Sequence, residues 1–331
     1  MYNHSIFHRI LCIAFILAFV LCTLGSAFAE TVRVAVVQPL SHTSLNQIRD
    51  TIVSELEGSD VEFEIVTRNA EGDSAALSTI LENVKSDGVD ILVPIATNTA
   101  QSSKMVFEDT GIPVVFAAVS DPVAAGLTGD DCGFITGVSN NIPAAEIVNL
   151  ISDFQPDYRL IGFLYTSSET NSVSTINAAK AYCDASGIAY EEVSIANLSE
   201  LQTAVETLIS KGVDALYTGN DNSIASAMPT YIDVAYEYGI PVYCGADSMV
   251  ADGGFATIGV DYVQLGRQVA ALVERIALGE EPEDIPYETL SDYARFVNLQ
   301  AAAQIGMDIS EEILAMYNVL VEADGTSHFG E

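Results

Sequence analysis

The stretch SDGVDIL at residues 86–92 returns as SKGVDAL at residues 210–216. A second pair follows in the same order, because GIPV occurs both at residues 111–114 and at residues 239–242. Two motifs that recur in one order at nearly constant spacing indicate an internal repeat with small differences in loop length. The chain is therefore predicted to consist of two halves built from the same units.

Each copy of the repeat predicts a helix, a tight Gly turn and a short buried strand. Apolar residues at helical spacing precede each Gly turn: Leu77, Ile80, Leu81 and Val84 in the first copy, and Leu201, Val205, Leu208 and Ile209 in the second. Apolar runs predict strands at 32–37, 61–66, 91–95, 114–118, 160–165, 215–218, 242–244 and 256–260. Strands that alternate with helices predict an α/β fold of two doubly wound parallel-sheet lobes, with a hinge and a central cleft.

The repeat also suggests a division of the chain into lobes. We expect residues 30–138 to form the first lobe and residues 139–261 the second. The sequence after the second copy of the repeat predicts additional elements. They are a long helix at 263–278, a strand at 295–298 and a short helix. We therefore expect residues 262–331 to return to the first lobe.

The first 29 residues resemble an export signal. An apolar run at 10–24 is followed by GSAFA at 25–29, an A-x-A cleavage pattern. An uncleaved anchor helix is the alternative, but the run is shorter than the roughly 20 residues that a spanning helix needs. Leu21 precedes Cys22, where a lipidation signal would have a small residue. We expect cleavage after Ala29 and export, to the periplasm or to the outer face of the cytoplasmic membrane.

The composition limits the classes of partner. The chain has 12 Lys and Arg against 46 Asp and Glu, a formal net charge of −34. Nucleic acids and anionic membranes need basic residues to replace their counterions, so neither is an expected partner. Beyond the signal, Cys132, Cys183 and Cys244 allow at most one disulfide, and we interpret them as small buried hydrophobes.

The loops at the expected ligand-binding edge contain no basic residue. In open parallel sheets, ligands bind beyond the carboxyl ends of the strands. The loops predicted there are 38–47, 96–102, 117–124, 165–172, 218–224 and 245–252. They are rich in Ser, Thr, Asn and Gln, and they contain several acids but neither Lys nor Arg. Phosphate, sulfate and dicarboxylate sites usually contain a guanidinium or an ammonium, so these loops favour a cation or a zwitterion.

A zwitterionic amino acid fits this pattern. The hydroxyl-rich segments 97–101 and 167–172 each lead from a strand into a helix, where backbone N–H groups and the helix dipole favour a carboxylate. The ammonium group would then meet Asp121, Asp221 or Asp247. The alternative interpretation is that these acids and hydroxyls only cap helices and form turns.

Other chemistries have weaker support. No G-x-G-x-x-G follows a strand, and no phosphate-binding P-loop occurs. Only His42 and His328 remain beyond the signal, which disfavours a zinc site built on several histidines and a Ser-His-Asp triad. His42 lies in the first cleft loop, where it could contact a ligand. Two cleft acids could hydrolyse a glycoside, but 46 acids make chance pairs common. We predict no metal and no cofactor.

Several segments together resemble one protein family. They are GIPVVFAAVSDPV at 111–123, GVSN at 137–140, the stretch 162–172 with Tyr165 and SETNS, GVD at 88–90 with ATNTA at 96–100, GAD at 245–247, and 297–306. Over almost the whole chain the sequence resembles the extracytoplasmic substrate-binding proteins of ABC transporters, in the subgroup associated with tryptophan and other aromatic amino acids. The first cleft loop departs from the family pattern of His-Pro followed by Leu-Asp, because it reads SHTSLN at 41–46.

The resemblance implies a type I periplasmic-binding-protein-like Venus flytrap that closes on a small solute and delivers it to ABC permease subunits. We expect a monomer that binds a small zwitterionic ligand, an aromatic or other hydrophobic amino acid, without catalysis. The candidate ligand-binding residues are Thr97, Asn98, Thr99, Ser120, Asp121, Ser168, Asn171, Ser172, Asn220, Asp221 and Asp247. Among them Thr97, Thr99 and Ser168 are expected to hold the carboxylate. A sensory protein of the same fold, a binder of a nucleoside or sugar, and an exported hydrolase are the alternatives.

Overall fold

A computed structural model describes residues 31–291 and 293–328, so the predicted export signal lies outside the described residues. The strands are β1 (Val32–Gln38), β2 (Phe63–Asn69), β3 (Ile91–Pro94), β4 (Val114–Ala117), β5 (Ile135–Ser139), β6 (Leu160–Thr166), β7 (Ala189–Ile195), β8 (Ala215–Thr218), β9 (Val242–Cys244), β10 (Ala256–Val260), β11 (Glu288–Thr289), β12 (Tyr293–Asn298) and β13 (Asn318–Val321). The α-helices are α1 (Thr43–Glu57), α2 (Ser74–Ser86), α3 (Thr97–Phe107), α4 (Ala144–Phe154), α5 (Thr170–Ser186), α6 (Leu201–Ser210), α7 (Asn222–Ala225), α8 (Met228–Glu237), α9 (Asp247–Ala251), α10 (Tyr262–Ala277), α11 (Leu299–Ile305) and α12 (Glu311–Leu314). In this part of the chain, no helix has the length and apolarity needed to cross a bilayer.

The strands form two sheets, one for each lobe. The first has the order β2-β1-β3-β4-β5-β11, and all its pairs are parallel. The second has the order β7-β6-β8-β9-β10-β12-β13, and only the β10–β12 pair in it is antiparallel. The prediction of two parallel α/β lobes is confirmed.

The two copies of the repeat make the same turn and the same link to a neighbouring strand. Gly88 and Gly212 have φ of 69° and 82°, a left-handed conformation that glycine adopts without steric cost. Just after each turn an aspartate accepts a hydrogen bond from the start of the adjacent strand. Asp90 accepts from the backbone N–H of Arg33 at 2.7 Å, and Asp214 accepts from that of Leu160 at 3.0 Å.

Helix α10 packs closely on α1 beside the first sheet. Its buried residues recur at helical spacing, which gives it one broad apolar face. Gly266 lies at the contact, where a β-carbon would be 2.7 Å from Cβ of Thr51. The two helix axes can therefore approach only because this position has no side chain.

The chain passes between the lobes at the edge of the cleft. It leaves the first sheet after β5, returns through Asp261 into α10, and crosses again between Leu290 and Tyr293. Because β12 and β13 belong to the second sheet, the expectation that residues 262–331 return to the first lobe is wrong for the segment from Tyr293 to Val321. Arg295 of β12 binds Asp153 at 2.8 Å and Glu146 at 3.3 Å, and both acids lie on α4, so these ion pairs hold β12 against the second lobe.

Candidate functional site

A cavity lies between the lobes, at the carboxyl ends of strands from both sheets. Its lining consists of His42, Ser44, Leu45, Ala118, Ser120, Asn140, Asn171, Asn220, Asp221, Asn222, Ala225, Ala246, Met249 and Tyr262. The space free of protein atoms, including the open mouth, is about 370 Å³. The lining contains neither Lys nor Arg, as the cleft loops predict.

The lobes are closed over this cavity. Side-chain hydrogen bonds cross from the first lobe to the second, among them His42 to Asn222 (3.2 Å), Ser44 to Ser248, Gln101 to Thr170 (3.2 Å), Asp121 to Ser174 (2.5 Å) and Tyr262 to Asn220 (3.3 Å). Each of them requires the lobes to be in contact. The structure is therefore the closed state of a two-lobed protein.

The first lobe contributes strained strand ends and uncapped helix starts. Ala96 and Ala118 follow β3 and β4 with φ of 70° and 57°, a conformation that costs a non-glycine residue about 1–3 kcal/mol and is concentrated at functional sites. Helices α1 and α3 begin without a side-chain cap. Their first N–H groups carry the positive end of the helix dipole, which favours an anionic group nearby.

Asp221 is almost completely buried, and its carboxylate is already saturated. It accepts hydrogen bonds from the backbone and hydroxyl of Thr166 (2.6 and 3.0 Å), from the hydroxyl of Ser172 (2.8 Å) and from the backbone of Ile224 (2.9 Å). Burial, with the nearby charge of Glu169, raises the pKa of Asp221 to about 7. Since each oxygen already accepts two hydrogen bonds, Asp221 is poorly placed to receive a ligand ammonium.

Glu169 is the second buried carboxylate of the second lobe, with 3% of its surface exposed. It accepts hydrogen bonds from the backbone and side chains of Asn222 and Ser223 at 2.6–3.0 Å, and from the amide of Asn171 at 3.3 Å. These donors tie the start of α5 to the start of α7. No Lys, Arg or His within residues 31–291 and 293–328 forms an ion pair with it.

Two buried polar atoms in the lining have no hydrogen-bond partner, Nδ1 of His42 and Oδ1 of Asn171. Burial lowers the pKa of His42, while Asn222 and Glu169 oppose that shift. The imidazole is therefore neutral near pH 7. Buried polar groups in native proteins are nearly always paired, so two orphaned atoms in one cavity point to a ligand.

The same lining offers donors. Ser120 donates to Oδ1 of Asn140 at 3.0 Å, and Tyr262 donates to Oδ1 of Asn220 at 3.3 Å. With their oxygens occupied, Asn140 and Asn220 offer their Nδ2 groups as donors, and the Asn140 amide also interacts with the hydroxyl of Tyr262. The lining thus presents neutral donors as well as neutral acceptors, a combination suited to a zwitterion.

The predicted site residues separate into three groups. Ser120, Asn171, Asn220 and Asp221 line the interlobe cavity. A second, neighbouring cavity of about 570 Å³ is lined by Asn98 and Ser168 together with Glu169 and Asn222. The remaining residues, which line neither cavity, are Thr97, Thr99, Asp121, Ser172 and Asp247.

Residues of the third group still lie close to the cleft. The hydroxyls of Thr97 and Thr99 are buried without a partner. Asp121 joins the two lobes through Ser174, and Ser172 supports Asp221. Asp247 begins α9, where burial raises its pKa to about 6. Their direct contact with a ligand stays a prediction.

Sequence reasoning missed much of the apolar wall and one hinge residue. Leu45, Ala225, Met249 and Tyr262 line the cavity, although none belongs to a motif that signals binding. Asn140 belongs to the GVSN segment, whose position at the first crossing between lobes could have identified it. Within the described residues, no group of three or more His, Cys, Asp and Glu side chains could hold a metal ion.

The chain matches a known protein family over most of its length. The family model for ABC transporter substrate binding proteins matches residues 33–320. The tyrosine-binding protein of Clostridioides difficile (strain R20291) is 29% identical over 275 residues, which cover 80% of this chain and 78% of the relative.

Two solved structures represent different states of similar proteins. An ABC domain from Streptococcus pneumonia in complex with L-Trp is 32% identical, with a TM-score of 0.82 over 88% of this chain and 99% of the relative. A substrate binding protein of Clostridium difficile in a ligand-free, open form is 29% identical, with a TM-score of 0.66 over 87% of this chain and 99% of the relative. The lower score of the open form agrees with the closed arrangement of the lobes seen here.

Proposed function

The chain belongs to the family of ABC transporter substrate-binding proteins, and from this premise we propose that its cleft captures a zwitterionic amino acid with an aromatic side chain. Proteins of this family act outside the cytoplasm, bind a small molecule and work with an ABC permease. Cleft closure then selects the ligand, because only a ligand that contacts both lobes stabilises the closed state. The protein would carry out no chemical step.

The observation that carries the proposal is the polarity of the interlobe cavity. It contains orphaned acceptors and amide donors, but no Lys or Arg. A dicarboxylate or a phosphate would leave its negative charge without a counter-charge in this cavity. An amino acid brings both charges itself, so its ammonium and carboxylate can each meet a neutral partner.

The aromatic side chain is supported by the apolar wall and by the relatives. Leu45, Met249 and Tyr262 contribute apolar surface to the lining of the cavity, and an aromatic ring packs well against such residues. One of the relatives described above is named a tyrosine-binding protein, and another was solved in complex with L-Trp. The departure at residues 41–46 lies in this wall, so the preference among aromatic side chains is expected to differ from that of the relatives.

A thermal-shift screen tests the proposal. The purified protein, freed of bound solute by unfolding and refolding, is heated with each of the 20 amino acids and with polyamines, nucleosides and sugars. A ligand at 100 times its dissociation constant adds about 2.7 kcal/mol to the free energy of unfolding, which raises the melting temperature measurably. We expect tryptophan, tyrosine or phenylalanine to give the largest shift.

Other outcomes would overturn the proposal in different ways. A shift by a nucleoside or sugar alone would keep the fold and the family but replace the ligand class. Recovery of a chemically altered ligand after incubation would instead indicate a hydrolase.

A further inference from the structure

We propose that the amine nitrogen of the ligand lies between Nδ1 of His42 and Oδ1 of Asn171, with buried Glu169 as its counter-charge through two hydrogen-bonded relays. This inference rests on the proposed function and adds to it the group that recognises the ammonium. It replaces the sequence-based expectation that an aspartate contacts the ammonium directly.

The first relay runs from Glu169 through Asn171. The amide Nδ2 of Asn171 donates to Oε2 of Glu169 at 3.3 Å and to the carbonyl oxygen of Asn220. Both neighbours are acceptors, so this end of the amide must be the NH₂ group. Oδ1 is therefore an acceptor. It is buried, it lies in a residue that lines the cavity, and it has no partner.

The second relay runs from Glu169 through Asn222 to His42. The amide Nδ2 of Asn222 donates to Oε2 of Glu169 at 2.8 Å, which identifies its other end as the oxygen. That oxygen lies 3.2 Å from Nε2 of His42, so Nε2 must carry the proton and donate. In a neutral imidazole the other nitrogen is then an acceptor. Nδ1 is that nitrogen, and it is buried without a partner.

Both unpaired acceptors thus connect to one buried anion. A hydrogen bond to a carboxylate polarises the donor amide, and this makes the opposite end of the amide a stronger acceptor. Glu169 is 3% exposed and Asp221 is 1% exposed, and no cation of the described residues pairs with either one. Buried negative charge is costly unless it is compensated. A ligand ammonium would supply the missing positive charge.

The two acceptors also come from different lobes. His42 precedes α1 in the first lobe, and Asn171 lies in the first turn of α5 in the second. An ammonium group has three N–H donors, and in the proposed arrangement one nitrogen donates to both acceptors at once. It does so only when the lobes are closed, and the amine therefore couples recognition to closure.

Calorimetric titration of the wild-type protein with matched ligands tests the proposal. The ligands are L-tyrosine and its desamino analogue 3-(4-hydroxyphenyl)propanoate, and in parallel L-tryptophan and 3-indolepropanoate. A site built for a hydrogen-bonding group rejects analogues that lack it by large factors, so we expect the desamino analogue of whichever amino acid binds to bind at least about 100-fold more weakly. If the dissociation constant of the desamino analogue lies within threefold of that of the amino acid, the ammonium site is overturned, while the aromatic ligand class stays intact. Failure of every aromatic amino acid to bind would overturn the proposed function as well.

Variants then test the residues themselves. Asn171→Leu removes one acceptor, and Glu169→Gln removes the buried charge. In either variant we expect the affinity ratio between amino acid and desamino analogue to fall at least about tenfold, because only the amino acid loses its partner. Asn177→Leu is the matched control, since Asn177 is exposed on the same helix, and it should keep the wild-type ratio. A wild-type ratio in a folded Asn171→Leu protein would overturn the assignment.

Discussion

Replacing Ser174 by alanine removes a hydrogen bond that forms only when the lobes are closed. The hydroxyl of Ser174 on α5 donates to Oδ2 of Asp121 at 2.5 Å, across the rim of the cleft. Asp121 also accepts from the backbone of Ala124 at 2.9 Å, so its own position does not depend on Ser174. The Ser174→Ala variant should therefore fold normally but close less readily.

The size of the effect follows from the charge and exposure of the pair. A hydrogen bond to a charged group contributes about 1.5–3 kcal/mol. Both side chains are only partly buried, so water can replace the lost donor and the net loss is nearer 1 kcal/mol. That energy corresponds to roughly a fivefold shift of the equilibrium toward the open state. If the ligand-free protein is mostly open, the apparent dissociation constant rises by the same factor.

Calorimetry with the amino acid identified by the thermal screen measures this change. Ser186→Ala is the matched control, because Ser186 is exposed at the far end of the same helix and should leave affinity unchanged. Small-angle scattering at a ligand concentration near the wild-type dissociation constant should show a larger open fraction in Ser174→Ala than in wild type or Ser186→Ala. Unchanged affinity and unchanged scattering in a folded Ser174→Ala protein would refute the role of this hydrogen bond in closure.

Three further predictions concern stability. Gly266→Val should lower the free energy of unfolding in urea by about 1–3 kcal/mol, because its side chain would overlap Thr51 at the contact of α1 and α10. The pKa of Asp221 is raised to about 7, so its stabilising protonation is lost as pH rises through that value. The melting temperature of ligand-free protein should therefore rise from pH 8 to pH 6, with a smaller rise in Asp221→Asn. Asp90→Ala and Asp214→Ala should each cost about 1–2 kcal/mol of unfolding free energy in urea, because each leaves a strand N–H unpaired.

Each of these predictions has a contradicting result. A wild-type urea midpoint for Gly266→Val would show that the helices do not approach as closely as described. An equal pH response in wild type and Asp221→Asn would mean that groups other than Asp221 cause it. No loss of stability from either aspartate substitution would contradict the stabilising role of these hydrogen bonds.

The internal repeat made the two-lobed fold predictable from sequence. Gly88 and Gly212 occupy equivalent left-handed turns, and turn residues of this kind are local signals. The placement of β12 is not local. Its position depends on the ion pairs of Arg295 with α4 and on the free edge of β10, neither of which a repeat pattern reveals.

The candidate site was predictable in its polarity and only partly in its residues. The absence of Lys and Arg from the cleft loops is a property of composition, and the cavity lining shows it directly. The roles of Asp221 and Glu169 depend instead on which donors reach them in the folded chain. An acid that is already saturated looks the same in sequence as an acid that is free to bind a ligand.

The most direct test of the account is a crystal structure of the protein grown with L-tyrosine or L-tryptophan. We predict electron density for the amino acid in the interlobe cavity, in contact with His42 from the first lobe and Asn171 from the second. An empty, open cleft at saturating ligand would contradict the proposed function. A ligand bound outside this cavity would contradict the site.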